Sequence, residues 1–283
     1  MKKIKIGILG WFGYGNAGDE AMRDICLKEF PGSIASDRAT IEKCDAYILA
    51  GGALVQGTTG VNFYELLTST INEPCYAMSL GVKSDWRSQE EKAKKVLSRF
   101  RLIFARDSES AHELSSIVKV DGVMPDLVLL ADAKKSKEKF PILFNYTDER
   151  TIDPRNQFKD IVKADNLLPI AVIPKDKGIY ADKYVGYKEF ISMAKSSQGV
   201  IGTRLHSVVM GVVAGVPVAG VAYSDKTRKF CERYEIPCFP YGKSCGKEIV
   251  RALKKPKIDL AQERVEIKKV IEKIKADLRK QFS

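Results

Sequence analysis

The chain has 283 residues, of which 45% are hydrophobic, and a net charge of +11 at pH 7. This length and apolar content permit one large or two ordinary domains and argue against a disordered chain. The charge favours an anionic partner, such as a phosphorylated metabolite, an acidic polymer, a nucleic acid or a membrane surface, although lysine-rich solvated helices give the same balance. The lysines alternate with glutamates and no basic stripe carries regularly spaced aromatic residues, so we expect no nucleic-acid binding.

The N-terminal residues MKKIKIGILG predict a first β-strand, because Lys5 interrupts the apolar stretch that a signal peptide would need. Most strand patterns are continuous apolar runs, which are typical of parallel strands covered on both faces. In the first half the runs are KIGILG, DAYILAG, PCYAMSLG, LIFARD and DLVLLAD. The helical patterns between them are DEAMRDICLKEF, NFYELLTSTI, SQEEKAKKVLSRF and SESAHELSSI.

A polar segment, KKSKEK at residues 134–139, predicts a hinge, and the alternation restarts after it. The later strand patterns are PILFNYT, PIAVIP, GVIGT and PVAGVAY. The later helical patterns are NQFKDIVKADNL, KYVGYKEFISMAKSS, LHSVVMGVVAG and DKTRKFCERY. We therefore predict an α/β fold with two doubly wound Rossmann-like domains, residues 1–136 and 137–283, that face a cleft.

The tail at residues 259–282 has apolar residues at three- and four-residue steps, with lysines and glutamates between them. This pattern predicts an amphipathic docking helix and leaves a membrane-surface helix as the alternative. The longest apolar run, at 208–223, contains Pro217 and favours a buried helix, a turn and a buried strand over a membrane span. We expect a soluble cytoplasmic protein.

The six cysteines lie at positions 26, 44, 75, 231, 238 and 245, and none forms a C-x-x-C pair. The chain has only two histidines, and neither is near the last three cysteines in sequence. Because zinc-like ligand spacing is missing, we predict no metal site and expect buried thiols in a reducing cytoplasm.

A glycine loop, G-x-G-x-x-G at residues 13–18, lies between the first strand and the first helix. This layout is typical of a dinucleotide-binding fingerprint, and Asp37 stands at about the distance of a ribose-binding acid. Trp11-Phe12 lengthens the turn beyond what that motif needs, and Asp19 and Glu20 put carboxylates where a pyrophosphate would need free N–H groups. We therefore favour another role for the loop.

The two carboxylates of this loop have different interpretations. Asp19 could orient or deprotonate a hydroxyl group, as general bases do, or it could cap the helix. Glu20 is more simply explained by a favourable interaction with the helix dipole.

The stretch GTRLHS at residues 202–207 joins a strand end to an apolar helix. A buried helix has little reason to begin with Arg204 and His206 unless its N-terminus faces a site. A guanidinium, an imidazole and helix N–H groups together suit an anion, and an imidazole suits proton transfer near neutral pH. The other histidine, His112, lies in a polar helical pattern and is predicted to be exposed.

Two further cations follow predicted strands. Arg106 ends the strand LIFARD, where it could bind an anion or pair with Asp107, and Ser108 or Ser110 is positioned to cap the next helix. Lys226 follows the strand PVAGVAY and could hold an anion or begin an exposed helix.

The ordered motifs NAGDEA, LAGGALV, MSLG, ARDSES, PDLVL and GTRLHSVVMGVVAGVPVAGVAYSDK resemble the polysaccharide pyruvyl transferase family over roughly residues 5–230. The resemblance implies a fold similar to that of GT-B glycosyltransferases. It implies transfer of a pyruvyl group from phosphoenolpyruvate to a sugar, commonly as a cyclic ketal on two hydroxyls, with no nucleotide donor, cofactor or metal.

The same resemblance implies that Arg106 and the Arg204–His206 pair, with Thr203, hold phosphoenolpyruvate, and that Lys226 lies near its phosphate. The loop with Gly15, Asn16 and Gly18 would face a saccharide acceptor, with Asp19 assisting a sugar hydroxyl. The acceptor would belong to a cell-surface polysaccharide or its lipid-linked precursor, which leaves open a peripheral contact with the inner membrane surface.

The chain departs from the family pattern in two ways. It is shorter between the first and third strands, where acceptor contacts commonly lie, and it has Gly51-Gly52-Ala53 where a third glycine is common. The sequence leaves two alternatives open: a nucleotide-sugar glycosyltransferase on the same architecture, and a non-catalytic anion- or glycan-binding protein. It does not specify the oligomeric state.

Overall fold

The computed structural model describes residues 4–36, 41–57, 72–147, 166–178, 180–243 and 246–283. The chain divides into two compact units. The first consists of Met1–Gly13, Met22–Leu127 and Ala261–Ser283, and the second of Tyr14–Ala21 and Val128–Leu260. These units differ from the predicted division at residue 136 in the glycine loop, in the segment 128–136 and in the C-terminal helix.

The first unit is built on a parallel sheet. Its strands are β1 (Ile6–Leu9), β2 (Ile34–Ser36), β3 (Ala46–Leu49), β4 (Gly52–Val55), β5 (Cys75–Val82), β6 (Phe100–Ala105) and β7 (Gly122–Val123). Their order is β2-β1-β3-β5-β6-β7, and β4 also pairs with β5. All but the last residue of β5 are buried, which explains its continuous apolar sequence because neither face of the strand meets water.

Among the described residues of the first half of the chain, the helices are α1 (Ala17–Glu29), α2 (Glu90–Leu97) and α3 (Ser108–Ser115). A short 3-10 helix, Trp86–Gln89, precedes α2. Trp86 is buried in the core of the first unit with Tyr47 and residues of β5 and β6, and its indole N–H donates to Glu113 at 2.8 Å. This hydrogen bond satisfies the one polar atom that burial of a tryptophan would otherwise leave unpaired.

The second unit is also built on a parallel sheet. Its strands are β8 (Phe140–Asn145), β9 (Leu167–Pro169), β10 (Ser197–Gly202), β11 (Val218–Ala222) and β12 (Cys238–Pro240), in the order β12-β11-β10-β8-β9. The helices in the described part of this unit are α4 (Tyr187–Ala194), α5 (Leu205–Ala214), α6 (Asp225–Arg233) and α7 (Gly246–Arg251). Helix α5 is almost wholly buried and ends at Gly215, whose φ of 72° suits a glycine C-cap, so the long apolar run is a helix, a turn and a strand.

The last helix, α8 (Leu260–Phe282), belongs to the first unit except for its first residue. Ile267, Ile271, Ile274 and Leu278 are buried along one face. Near its end, the Asp277 carboxylate accepts hydrogen bonds from the Tyr76 hydroxyl at 2.8 Å and from Arg101 Nε at 2.7 Å. The tail is thus a docked helix, as its periodicity predicted. No helix in the described ranges is long and apolar enough to cross a membrane.

The predicted α/β class, with two Rossmann-like units and a C-terminal amphipathic helix, is confirmed. Two strand predictions were wrong. The pattern DLVLLAD forms a 3-10 helix, Leu127–Leu130, and of PIAVIP only Pro169 belongs to a strand. A short apolar run that is buried on all sides does not distinguish a strand from a turn, so periodicity misassigned both. The short strands β4, β7 and β12 were not predicted.

Several sequence predictions fall outside the described residues. They are the helical pattern NFYELLTSTI, most of the pattern NQFKDIVKADNL, the acid Asp37 and the thiol of Cys245.

Candidate functional site

In the second unit, polar residues follow the carboxyl end of β10. The Thr203 hydroxyl is buried and donates to the backbone carbonyl oxygen of Asn145 at 3.2 Å. The Asn145 side-chain oxygen accepts from the backbone N–H of Arg204 at 3.3 Å. Strand β8 thereby fixes the backbone from which Arg204 projects, at the edge of a parallel sheet where ligands commonly bind.

The Arg204 guanidinium forms a buried ion pair with Asp176. Nε donates to Asp176 Oδ2, and Nη2 donates to Asp176 Oδ1 at 2.6 Å and to the Thr147 hydroxyl at 2.6 Å. Arg204 is 8% exposed and Asp176 is 3% exposed. Bidentate geometry and the extra hydroxyl compensate for burying both charges. The pair therefore holds the guanidinium in one orientation, and Asp176 offsets its positive charge.

The imidazole of His206 lies directly against Gly18. A Cβ atom placed on Gly18 would be 1.8 Å from His206 Nδ1, which is far inside van der Waals contact. His206 is the second residue of α5, and Gly18 is the second residue of α1. Two helix N-termini therefore meet at a half-buried imidazole, and the contact requires glycine at position 18.

Asn16 caps α1. Its side-chain oxygen accepts from the Gly18 N–H at 3.2 Å, and its backbone carbonyl accepts from the Glu20 N–H at 2.9 Å. Asn16, three residues before Asp19, is therefore the N-cap residue of α1. Asp19 is a buried carboxylate in the first turn of α1.

The remaining glycines of the loop serve its backbone. Gly13 and Gly15 have φ values of 84° and 69°, a region that side chains disfavour. A Cβ on Gly15 would lie 2.9 Å from Pro174, so this glycine also permits a close approach. The backbone N–H of Ala17 donates to the Val172 carbonyl at 2.9 Å. From Tyr14 onward the loop therefore belongs to the second unit, and the glycine pattern is explained by turns and an imidazole contact without a dinucleotide.

Lys226 lies in the first turn of α6 and is half-buried. The next residue, Thr227, is fully buried, and its hydroxyl donates to the Thr203 carbonyl oxygen at 3.4 Å. The N-terminus of α6 is therefore tied to the strand end that carries Arg204.

Three tyrosines, Tyr146, Tyr223 and Tyr241, directly follow the ends of β8, β11 and β12. The Tyr241 hydroxyl donates to the Thr147 carbonyl, and the Tyr223 hydroxyl is 3.5 Å from Arg204 Nη1. The ring centroids of Tyr146 and Tyr241 are 6.1 Å apart, and those of Tyr223 and Tyr241 are 6.3 Å apart. The rings form one aromatic cluster beside the Arg204–Asp176 pair.

In the first unit, Arg106 follows the carboxyl end of β6 and is buried. Its guanidinium lies over Gly81, where a Cβ atom would be 2.7 Å from Nη2. Its Nε is 3.5 Å from Asp107 Oδ2, a long contact for an ion pair. Asp107 Oδ1 instead caps α3 by accepting from the Ser110 N–H at 2.7 Å, so the prediction that Ser108 or Ser110 is the cap was wrong.

Ser79 stands close to this arginine along β5. It is fully buried, it has a φ of 51°, and no described residue forms a hydrogen bond with its hydroxyl. The pairing of β5 with β6 shifts register around it. Gly51 faces the same backbone, because a Cβ on it would be 3.3 Å from the Ser79 carbonyl oxygen. Irregular backbone of this kind often marks a functional edge of a sheet.

The structure thus brings Thr203, Arg204, His206, Gly18 and Asn16 together in the second unit, whereas Arg106 belongs to the first. The contact between Gly18 and His206 was not predicted, because the loop was assigned to the N-terminal domain.

Sequence reasoning also missed three contacts of Arg204, namely Asp176, Thr147 and Tyr223. A usable signal for the aromatic cluster was a tyrosine directly after a strand end, in Asn145-Tyr146-Thr147, Ala222-Tyr223-Ser224 and Pro240-Tyr241-Gly242. Asp176 lies in no motif. No group of three or more histidine, cysteine or acidic residues in the described ranges is arranged to hold a metal ion.

Comparison with solved structures shows the fold. A protein from Klebsiella pneumoniae whose function is uncharacterized has a TM-score of 0.56 at 14% identity, over 86% of this chain and 92% of that one. The UDP complex of Staphylococcus aureus MnaA has a TM-score of 0.56 at 15% identity, over 88% and 87% of the two chains. UDP-GlcNAc 2-epimerase from Methanocaldococcus jannaschii has a TM-score of 0.52 at 12% identity, over 88% and 91%.

These likenesses define a two-unit α/β protein of the GT-B-like class, as the sequence predicted. No curated protein matches the sequence. The family model for polysaccharide pyruvyl transferases matches residues 3–225. This chain therefore belongs to the polysaccharide pyruvyl transferase family.

Proposed function

We propose that this protein transfers the pyruvyl group of phosphoenolpyruvate to two hydroxyls of a sugar in a cell-surface polysaccharide or its lipid-linked precursor. The observation that carries the proposal is the half-buried imidazole of His206, which packs on Gly18 at two helix N-termini and lies two residues after the fixed Arg204. Family membership supports the pyruvyl transfer, and the chemistry of these groups supports the donor.

The donor carries a carboxylate and a phosphate, so it needs cations and N–H donors. In our proposal Lys226 and the N-terminus of α5 bind the phosphate of the donor, and Arg106 keeps the donor-binding role that the family resemblance implies. Asp176 fixes the Arg204 guanidinium, and Thr203 helps to hold the Arg204 backbone. Gly15, Asn16 and Gly18 shape the loop against which the reacting groups lie.

The proposed reaction conserves all atoms. His206 gives or relays a proton to the methylene carbon of the donor, which becomes a methyl group, and the central carbon becomes electrophilic. A sugar hydroxyl attacks that carbon and loses its proton with help from Asp19. The second hydroxyl then forms the other C–O bond and passes its proton to the departing phosphate, so the products are a cyclic ketal and inorganic phosphate. No metal or cofactor takes part.

The test is phosphate release from phosphoenolpyruvate over a panel of glycans and lipid-linked sugars. On a working acceptor, His206→Gln should lower kcat by about 100-fold or more, because general acid–base catalysis is typically worth that much. Arg106→Ala should mainly raise the KM for phosphoenolpyruvate. Full activity of His206→Gln would contradict the assigned role.

Two other functions make different predictions. A nucleotide-sugar glycosyltransferase would be stabilised against heat by a nucleotide sugar and not by phosphoenolpyruvate. A non-catalytic binding protein would be stabilised by its ligand without turnover.

We further propose that the enzyme works in the cytoplasm at the inner membrane surface, where its +11 net charge would favour anionic lipids.

A further inference from the structure

Cys231 and Cys238 lie beside the same glycine in the second unit, and neither has a role in the proposed reaction. A Cβ atom placed on Gly220 would be 2.5 Å from Cys231 Sγ and 3.5 Å from Cys238 Sγ. Gly220 in β11 is in register with Cys238 in β12. Because glycine has no side chain, it leaves a space that both sulfur atoms share.

The two cysteines differ in accessibility. Cys231 is fully buried on α6, whereas Cys238 is half-buried and begins β12, the strand at one end of the sheet order. A small reagent in solution can therefore reach Cys238 and is excluded from Cys231.

The interaction with the Cys231 thiol lowers the pKa of Cys238, and the same interaction together with burial raises the pKa of Cys231. Arg228 also favours the Cys238 thiolate, whereas Glu232 opposes it. Since the thiolate is the reactive form, Cys238 is the nucleophile of the pair and Cys231 is its partner.

Other described cysteines lack these features. Cys26, Cys44 and Cys75 are buried, and burial raises the pKa of all three, that of Cys75 to about 12. Such thiols are inert toward oxidants in the folded protein. They serve as internal controls.

We propose that Cys231 and Cys238 are a redox modification site that forms a reversible disulfide with a small disulfide such as glutathione disulfide as the oxidant. The Cys238 thiolate attacks one sulfur of the oxidant and releases one glutathione thiol, which leaves a mixed disulfide on Cys238. Cys231 then loses its proton to solvent, attacks the Cys238 sulfur and expels the second glutathione. The two cysteines lose two electrons in total, and the oxidant is reduced to two thiols.

The pair adjoins elements of the candidate site. Helix α6 carries both Cys231 and Thr227, which contacts the Thr203 carbonyl. Strand β12 leads from Cys238 to Tyr241, which donates to the Thr147 carbonyl. A bond between α6 and β12 would join an element that contacts the Thr203 carbonyl to a strand that leads to the Tyr241 contact with Thr147.

The experiment equilibrates the full-length protein in glutathione buffers from fully reduced to fully oxidised, quenches it by alkylation and maps the peptides by mass spectrometry. We expect one intramolecular disulfide between Cys231 and Cys238 and reduced thiols at Cys26 and Cys75. In Cys231→Ser, Cys238 should stop at the glutathione mixed disulfide. In Cys238→Ser, Cys231 should stay unmodified while the protein is folded.

Three results would overturn the proposal. The first is that Cys238 keeps a stable glutathione adduct in the unsubstituted protein, because Cys231 would then fail to resolve it. The second is that Cys238 pairs with Cys245 instead. The third is that both thiols remain reduced even in fully oxidised glutathione. Circular dichroism of each serine variant separates these outcomes from loss of folding.

Discussion

His206 has its position because residue 18 has no side chain. Replacing Gly18 with Ala would put a methyl group where the imidazole lies, 1.8 Å from Nδ1. We expect the ring to be displaced by about 1 Å or more, with kcat for phosphate release lowered about 100-fold and the KM for phosphoenolpyruvate changed little. Steady-state kinetics on a working acceptor checks this.

The matched control for this substitution is Gly186→Ala. Gly186 precedes α4 with a φ of −73°, and an added Cβ there meets nothing within 4 Å. It should keep wild-type kinetics. If Gly18→Ala were equally active, the contact with Gly18 would not position His206 for catalysis.

Arg204 and Asp176 are each buried with the other as partner. Replacing Asp176 with Asn would leave the guanidinium without its counter-charge, and losing one member of a buried pair typically costs about 3–5 kcal/mol. We expect a loss of that size in the free energy of unfolding, measured by urea denaturation. Asp182→Asn removes the same charge at an exposed position and should change stability by less than about 0.5 kcal/mol.

A small effect of Asp176→Asn, close to that of Asp182→Asn, would show that the pair does not fix Arg204.

The sequence could predict Arg204 and His206, because a polar Arg-Leu-His start is unusual for a buried helix. It could not predict the ion pair of Arg204 with Asp176 or the contact of His206 with Gly18. Both contacts depend on how segments that are distant in sequence pack together, and no sequence motif contains both partners of either contact.

At the scale of elements, α8 is fixed by its apolar face and by Asp277. The hydrogen bond from Arg101 holds the pKa of Asp277 below its usual value, and the Tyr76 hydroxyl adds to this effect. The unfolded-state pKa is about 3.9, so the stabilisation is fully present above that pH and is lost as the pH falls through the lower folded-state pKa.

Replacing Asp277 with Asn should therefore destabilise the protein by about 1 kcal/mol at pH 7, since the pair is partly exposed and screened. The difference between variant and wild type should stay constant down to about pH 5 and shrink below about pH 4. Urea unfolding at several pH values measures it. A difference that is still as large at the lowest pH would mean that the carboxylate charge is not the cause.

Elements with long or strongly periodic patterns were predicted well, and short ones were not. The sequence runs that form β5, β10 and α5 are almost wholly buried. Their continuous apolar composition therefore reflects their position in the core. The run DLVLLAD is also mostly apolar and buried but contains a 3-10 helix that begins two residues after Pro125, because burial alone does not specify backbone direction. Strands β7 and β12 are too short to show a period at all.

At the scale of the whole molecule, alternating apolar runs and helical patterns were enough to predict two parallel α/β units. They were not enough to assign every segment to its unit. The glycine loop packs on Val172, Pro174 and His206, and α8 packs in the first unit, so segments that are distant in sequence complete each unit. Such pairings depend on tertiary contacts that local patterns do not contain.

The proposed reaction is tested most directly by analysing the acceptor after incubation with phosphoenolpyruvate in D₂O. We predict that the acceptor gains the mass of pyruvate less one water, with one deuterium in the new methyl group and one phosphate released per ketal. The deuterium would come from the proton that His206 delivers to the methylene carbon. An acceptor that gains no pyruvyl group from phosphoenolpyruvate but gains a sugar from a nucleotide sugar would contradict the account.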